Sequence, residues 1–293
     1  MTLKAALRKT SLVDYPGRVS SVLFFPLCNL RCPWCQNREL VLGKAEDLVD
    51  IEKCLEHLWK RKNVLGGVVL SGGEPCLWKE LPLIIKEIKK IPNEKEKFMP
   101  VKLDTNGMFP DMLKILFSSK ETSPDYIALD LKIAPERYTE LLSGQRLCDS
   151  NPDELFGESA ALLQSALLRQ GDALRQSAAI NQGEALRQGD VLRQSAAINH
   201  SEALRQSAEL IKQSGIAHEY RTLALPGGFI TEKDIEALAP LTDNAPWYFR
   251  PFRGGNCLDP EWNNLEENAA EVKAKSLKLS EKAKELGKNS QIP

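Results

Sequence analysis

Short runs rich in β-branched and apolar residues recur along the chain at residues 19–27, 67–70, 101–103, 126–133, 218–225 and 247–251. Stretches with helical spacing separate and follow them, at residues 49–62, 77–90 and 110–119, in a long tract ending near Gln213, and at 232–238 and 264–286. A chain that alternates strand and helix in this way connects its strands by crossovers, which predicts a parallel sheet with helices outside. Six such units are too few for a closed eight-stranded barrel. The expected fold class is therefore α/β, an open, partial (β/α)6 barrel with parallel strands.

In parallel barrels chemistry collects at the C-terminal ends of the strands. Cys28 follows the first run, Gly72-Gly73-Glu74-Pro75 the second and Asp104-Thr105-Asn106-Gly107 the third, while Asp130 and Lys132 close the fourth. One tract breaks the pattern. Residues 161–214 fall into hexads, and residues 167–184 and 185–202 are near-copies of an 18-residue unit. The expected division is residues 1–148 for the first part of the barrel, 149–202 for an inserted repeat segment, and 203–293 for the rest of the barrel with a terminal helix. A hexapeptide repeat can also build a left-handed β-solenoid. Here the units are made of Ala, Leu, Arg, Gln and Glu, and β-branched residues are nearly confined to Ile180, Val191 and Ile198, so a projecting helical arm is expected.

The formal net charge of -1 offers no general attraction to nucleic acid or to an anionic membrane, so neither is expected as a partner. No apolar stretch has the length of a signal sequence or a membrane span, and the expected location is the cytoplasm. Of the seven cysteines, three lie in Cys28-Asn29-Leu30-Arg31-Cys32-Pro33-Trp34-Cys35, whereas Cys54, Cys76, Cys148 and Cys257 are scattered. In a reducing compartment that pattern indicates metal ligation rather than disulfides. Three thiolates on one loop can hold a four-iron cube and leave one iron without a protein ligand, open to bind substrate. A structural zinc site is the alternative, with a fourth ligand from Cys54, Cys76 or His57. His57 and His218 are otherwise expected to be structural, and Trp34 to shield the loop from water.

The Cys-x3-Cys-x2-Cys loop after a first strand, with Gly-Gly-Glu-Pro after a second, resembles the radical S-adenosylmethionine superfamily. Within it, Lys9-Thr10-Ser11-Leu12-Val13-Asp14-Tyr15-Pro16-Gly17 and the later Cys-Pro-Trp-Cys-Gln-Asn resemble the activating proteins of anaerobic ribonucleoside-triphosphate reductase. The likeness covers residues 5–145 and 203–260. It implies one [4Fe-4S] cluster on Cys28, Cys32 and Cys35, which binds S-adenosylmethionine and reductively cleaves it to methionine and a 5'-deoxyadenosyl radical. That radical takes a hydrogen atom from a glycine of a partner enzyme. It also implies a low-potential electron donor such as flavodoxin or ferredoxin. Residue by residue, it sets Gly72, Gly73 and Glu74 against the amino group of S-adenosylmethionine, and Asp104, Thr105 and Asp130 around a monovalent cation beside the methionyl carboxylate. Lys132 would lie near that carboxylate, and Arg221 near the cofactor or in a surface ion pair. Asn106 contacts the cofactor or serves the turn with Gly107. Gln36 departs from the histidine that many activases carry there. The same superfamily chemistry also serves activases of other glycyl radical enzymes, such as pyruvate formate-lyase, and small-molecule enzymes such as the 7-carboxy-7-deazaguanine synthases.

Overall fold

The computed structural model describes residues 3–94, 96–141, 199–263 and 269–292. In chain order its strands are β1 (Lys4–Ser11), β2 (Ser20–Phe25), β3 (Leu48–Asp50), β4 (Gly67–Gly72), β5 (Pro92–Asn93), β6 (Lys97–Phe98), β7 (Val101–Thr105), β8 (Tyr126–Asp130), β9 (Ala217–Ala224), β10 (Trp247–Pro251) and β11 (Ser290–Gln291). Its helices are α1 (Arg38–Val41), α2 (Ile51–Lys60), α3 (Leu81–Lys89), α4 (Pro110–Phe117), α5 (His200–Gln213), α6 (Glu232–Leu238) and α7 (Ala269–Glu285). Each of the six apolar runs forms a strand, and β2, β4, β7, β8, β9 and β10 pair side by side, all parallel. Sequential order across an open sheet is the partial barrel that the alternation implied.

The sheet is wider than its six central strands. β1 pairs antiparallel with β2 and β3, and the short β11 lies parallel to β10 at the other edge. β1 lacks the apolar alternation that reveals a strand, because most of its side chains are exposed or half-buried. Among the described residues, no helix is long and apolar enough to cross a membrane.

Successive residues of a strand face opposite sides of the sheet, and here the two sides differ in kind. Outward-facing Leu23, Leu70, Leu103, Ile127, Leu129 and Tyr220 join the main core with the helices. Toward the inside, Tyr15, Val22 and Val69 form a small apolar cluster with Phe24 and Tyr126. Beside that cluster lie Lys102 and Glu219, 1% and 2% exposed. A buried charge is tolerated when paired and hydrogen-bonded. The Lys102 ammonium is 2.5 Å from Asp104 Oδ1 and 3.9 Å from Glu219 Oε1, and Tyr126 donates to Glu219 at 3.0 Å.

Most of the expected insert, residues 149–198, lies outside the described residues. The end of the hexad tract does not project. It forms α5, capped by Asn199, whose side chain accepts from the Glu202 N–H at 3.2 Å. Leu204, Ala208 and Ile211 of α5 are fully buried in the main core. Eighteen residues earlier the sequence has Leu186, Asp190 and Arg193 at the matching positions, so that copy would carry two charges into the core. Ala208→Asp, which copies the earlier unit at one position, is expected to lose roughly 3–5 kcal/mol in urea denaturation, the scale of an uncompensated buried charge.

Candidate active site

The cysteine loop is held by backbone contacts from three directions. Gly73 N–H donates to the Phe25 carbonyl at 2.8 Å and Glu74 N–H to the Leu27 carbonyl at 2.9 Å. Arg31 Nη1 donates to the Cys28 carbonyl at 2.6 Å, and Trp78 Nε1 to that of Pro26 at 3.0 Å. From the segment after β10, Leu258 N–H reaches the Cys35 carbonyl at 2.8 Å and Asp259 N–H that of Pro33 at 2.9 Å. Gln36 Nε2 donates to the Arg253 carbonyl. Trp34, 4% exposed, packs edge-on against Phe229 and beside Trp262, with ring centroids 5.0 and 5.4 Å away.

The glycine pair borders the cavity and also makes a close approach within the chain itself. A Cβ on Gly73 would lie 1.8 Å from the Leu27 carbonyl oxygen, and one on Gly72, where φ is +116°, would lie 2.4 Å from the Phe25 nitrogen. What comes so close is the backbone leading into Cys28. The pair lets the end of β4 seat directly on the end of β2. Asn37 Nδ2 closes the contact by donating to the Gly72 carbonyl at 3.1 Å.

Glu74 extends this seat to the next strand. Its carboxylate, 1% exposed, accepts from Thr105 Oγ1 at 2.8 Å, Asn106 N–H at 2.7 Å and Cys76 N–H at 2.9 Å. Burial pushes its pKa up and these hydrogen bonds oppose the rise. Asn106 is more than a turn residue: its Nδ2 donates to Asn29 Oδ1 at 2.8 Å and approaches Cys28 Sγ at 3.7 Å. The side chains of Glu74, Thr105 and Asn106 thus tie the ends of β4 and β7 to the cysteine loop.

Above them opens a cavity of about 810 Å³, and every sequence-predicted site residue borders it. That volume is in the range of a cofactor site. Burial pushes the Cys28 and Cys32 thiols up to about 12 and raises that of Cys35, while the nearby Lys132 charge works the other way on all three. Protonated thiols become ligands only by releasing their protons to solvent as a metal binds the thiolate. The donor set fits an iron–sulfur cluster: three thiols share the cavity, and Leu30 N–H already donates to Cys28 Sγ at 3.4 Å. Cys54, Cys76 and His57, the fourth ligands named for zinc, do not line this cavity. Cys54 Sγ instead faces the Val49 carbonyl at 3.9 Å. Cys148 lies outside the described residues.

On the far wall, Arg221 is half-buried, in ion pairs inside the barrel rather than at the surface. Its Nε donates to Asp130 Oδ1 at 2.8 Å and its Nη1 lies 3.2 Å from Asp104 Oδ2. Lys132 Nζ is 3.3 Å from Asp130 Oδ2, and Ser71 Oγ donates to Asp104 at 3.0 Å. Burial would raise the Asp130 carboxyl, yet Arg221 and Lys132 outweigh it and hold the group at about 2. His218 sits elsewhere, 3.2 Å from Asp243, in a structural contact.

Sequence reasoning missed Asn29, Asn37, Ser71, Lys102 and Glu219. Lys102 and Glu219 leave a signal, a charge inside an apolar run. The glycine contact yields a direct test. Gly73→Ala is expected to cost about 1–3 kcal/mol by overpacking and to lower metal uptake by the cysteine loop, read from thermal denaturation and iron content.

Residues 22–149 match the family model described as the Radical SAM superfamily. Over 134 residues the chain is 34% identical to a protein of Methanocaldococcus jannaschii named as a candidate glycyl-radical enzyme activating enzyme, a match covering 45% of this chain and 51% of that one. Over 143 residues it is 33% identical to the GTP 3',8-cyclase of Corynebacterium glutamicum, covering 46% and 37%. The chain thus spans about half or less of the length of the curated relatives it matches. The fold is similar to that of a radical SAM methyltransferase from Sphaerobacter thermophilus, with a TM-score of 0.55 at 12% identity, over 97% of this chain and 68% of that one. The match to the Radical SAM superfamily thus covers residues 22–149, less than half of the chain, and contains the cysteine loop and the ends of β4, β7 and β8; that family implies a [4Fe-4S] cluster and S-adenosylmethionine.

Proposed function

We propose that the chain is an activase that generates a glycyl radical on a partner enzyme, anaerobic ribonucleoside-triphosphate reductase being the one its motifs resemble. The meeting of Cys28, Cys32 and Cys35 with Asp130, Lys132 and Arg221 on one cavity at the C-terminal ends of the strands carries the S-adenosylmethionine chemistry, and the likeness to the Methanocaldococcus jannaschii protein supports the activase role. A [4Fe-4S] cluster on the three thiolates would supply the electron that cleaves S-adenosylmethionine and so yields the hydrogen-abstracting 5'-deoxyadenosyl radical. A flavodoxin or ferredoxin is the proposed source of that electron.

The chain's own residues orient and protect. Lys132 and Arg221 offer charge-assisted donors to the carboxylate of the methionyl group. Gly72, Gly73 and Glu74 border the same cavity, and acceptor oxygens on this segment would take the hydrogen bonds of its amino group. Leu30 N–H and Asn106 Nδ2 stabilise negative charge on Cys28 Sγ. Trp34, Phe229 and Trp262 cover the loop and exclude water.

A small-molecule substrate is the second reading, and the likeness to GTP 3',8-cyclase supports it. Two experiments separate these possibilities. Alanine at Cys28, Cys32 or Cys35 is expected to abolish the cluster and the release of 5'-deoxyadenosine, whereas alanine at Cys54 or Cys257 leaves both largely intact; a cluster that survives loss of Cys32 contradicts the assignment. The reduced protein with S-adenosylmethionine and anaerobic ribonucleotide reductase is expected to give a glycyl radical signal in electron paramagnetic resonance. A signal only with pyruvate formate-lyase moves the partner, and turnover of a purine nucleotide with no partner protein favours the second reading.

A further inference from the structure

The cation implied by family resemblance does not fit the residues meant to hold it. Asp104 and Thr105 are successive residues of β7 and so face opposite sides of the sheet. Thr105 Oγ1 is committed to Glu74, 2.8 Å away, and accepts from Gly107 N–H at 3.2 Å. Asp104 is already surrounded by Ser71 Oγ, Lys102 Nζ and Arg221 Nη1 at 3.0, 2.5 and 3.2 Å. Asp130 is held by Arg221 and Lys132.

We propose that Arg221 is an internal cation that bridges Asp104 and Asp130 in place of a bound alkali-metal ion, so that ligand binding in this cavity does not depend on added sodium or potassium. The proposal rests on the S-adenosylmethionine reading of the site. The fold fixes the bridge. In the β8–β9 register Arg221 lies opposite Asp130, and Leu131 N–H donates to the Arg221 carbonyl at 2.8 Å. Asp104 on β7 pairs with Ala128, two residues before Asp130 on β8, so the guanidinium crosses β8 to reach it. Its planar fork suits two carboxylates at once.

Charge balance leads to the same conclusion. Arg221, Lys102 and Lys132 stand against Asp104, Asp130 and Glu219, so the network is neutral without a metal ion. An alkali ion between the two aspartates would take the guanidinium's place and force its charge elsewhere in a buried site. Nε and Nη1 make the two ion pairs out of the five N–H donors a guanidinium carries, and Arg221 borders the cavity where an anionic carboxylate would sit.

The test is equilibrium binding of S-adenosylmethionine to the anaerobically reconstituted, unreduced protein, in potassium, sodium or choline chloride at equal ionic strength. Wild-type affinity is expected to agree within about twofold across the three salts, whereas Arg221→Ala is expected to bind about tenfold or more weakly in choline and to recover at least about threefold in potassium or sodium. That gained cation dependence is a readout a purely structural arginine would not produce. Wild-type binding that weakens about tenfold in choline overturns the inference, as does an Arg221→Ala protein whose weakened binding ignores the salt. The wild-type comparison decides alone if the variant does not fold. No binding in any salt overturns the cofactor reading and this inference with it, whereas binding that needs potassium or sodium overturns the inference alone.

Discussion

The seat of Gly73 on the Leu27 carbonyl is the contact on which the rest of the site depends. A Cβ there would be 1.8 Å from that oxygen, closer than any side chain can come. The close approach lets Gly73 and Glu74 donate their N–H groups to the chain entering the cysteine loop. It also sets Glu74 where its carboxylate gathers Thr105 and Asn106. Three strand ends are thereby locked together by backbone geometry and one buried acid, before any metal binds. A loop ordered in advance loses less conformational entropy on taking up its ligand.

The inner face of the sheet carries the second constraint. A parallel strand in a barrel is normally apolar on both sides, yet β7 and β9 turn Lys102, Asp104, Glu219 and Arg221 inward. Placing so many charges out of water is tolerable only as a closed network, and the distances show one. Its upper end, Asp130 with Lys132, meets the thiols. Lys132 therefore joins the charged floor to the cysteine loop, and its charge acts on all three sulfurs.

How much of this the sequence disclosed depends on how local each signal is. The six central strands are legible because a buried strand leaves a run of apolar and β-branched residues even where β7 and β9 carry inward charges, and most of the site residues because they sit where those runs end, Arg221 lying within its own. β1 is not legible, since a strand whose side chains are mostly exposed or half-buried has no such pattern. For the glycine pair, sequence marks a close approach but not that the backbone of Phe25 and Leu27 is one of the groups that approach. Arg221 could not be assigned its two carboxylates, because they lie 91 and 117 residues away in the chain and meet it only through strand register. The end of the hexad tract was readable in hindsight from residue type alone. Only the last copy has apolar residues, Ala208 and Ile211, where the two before it have Asp190 with Arg193 and Asp172 with Arg175.

The central claim is that three thiolates hold a cluster with one iron left for the substrate. Mössbauer spectroscopy of protein reconstituted with iron-57 tests it most directly. The expected spectrum corresponds to about four irons per chain, with one site whose parameters move when S-adenosylmethionine is added and the others nearly unchanged. A protein that takes up a single zinc instead, or a cluster in which no iron responds to S-adenosylmethionine, would contradict it.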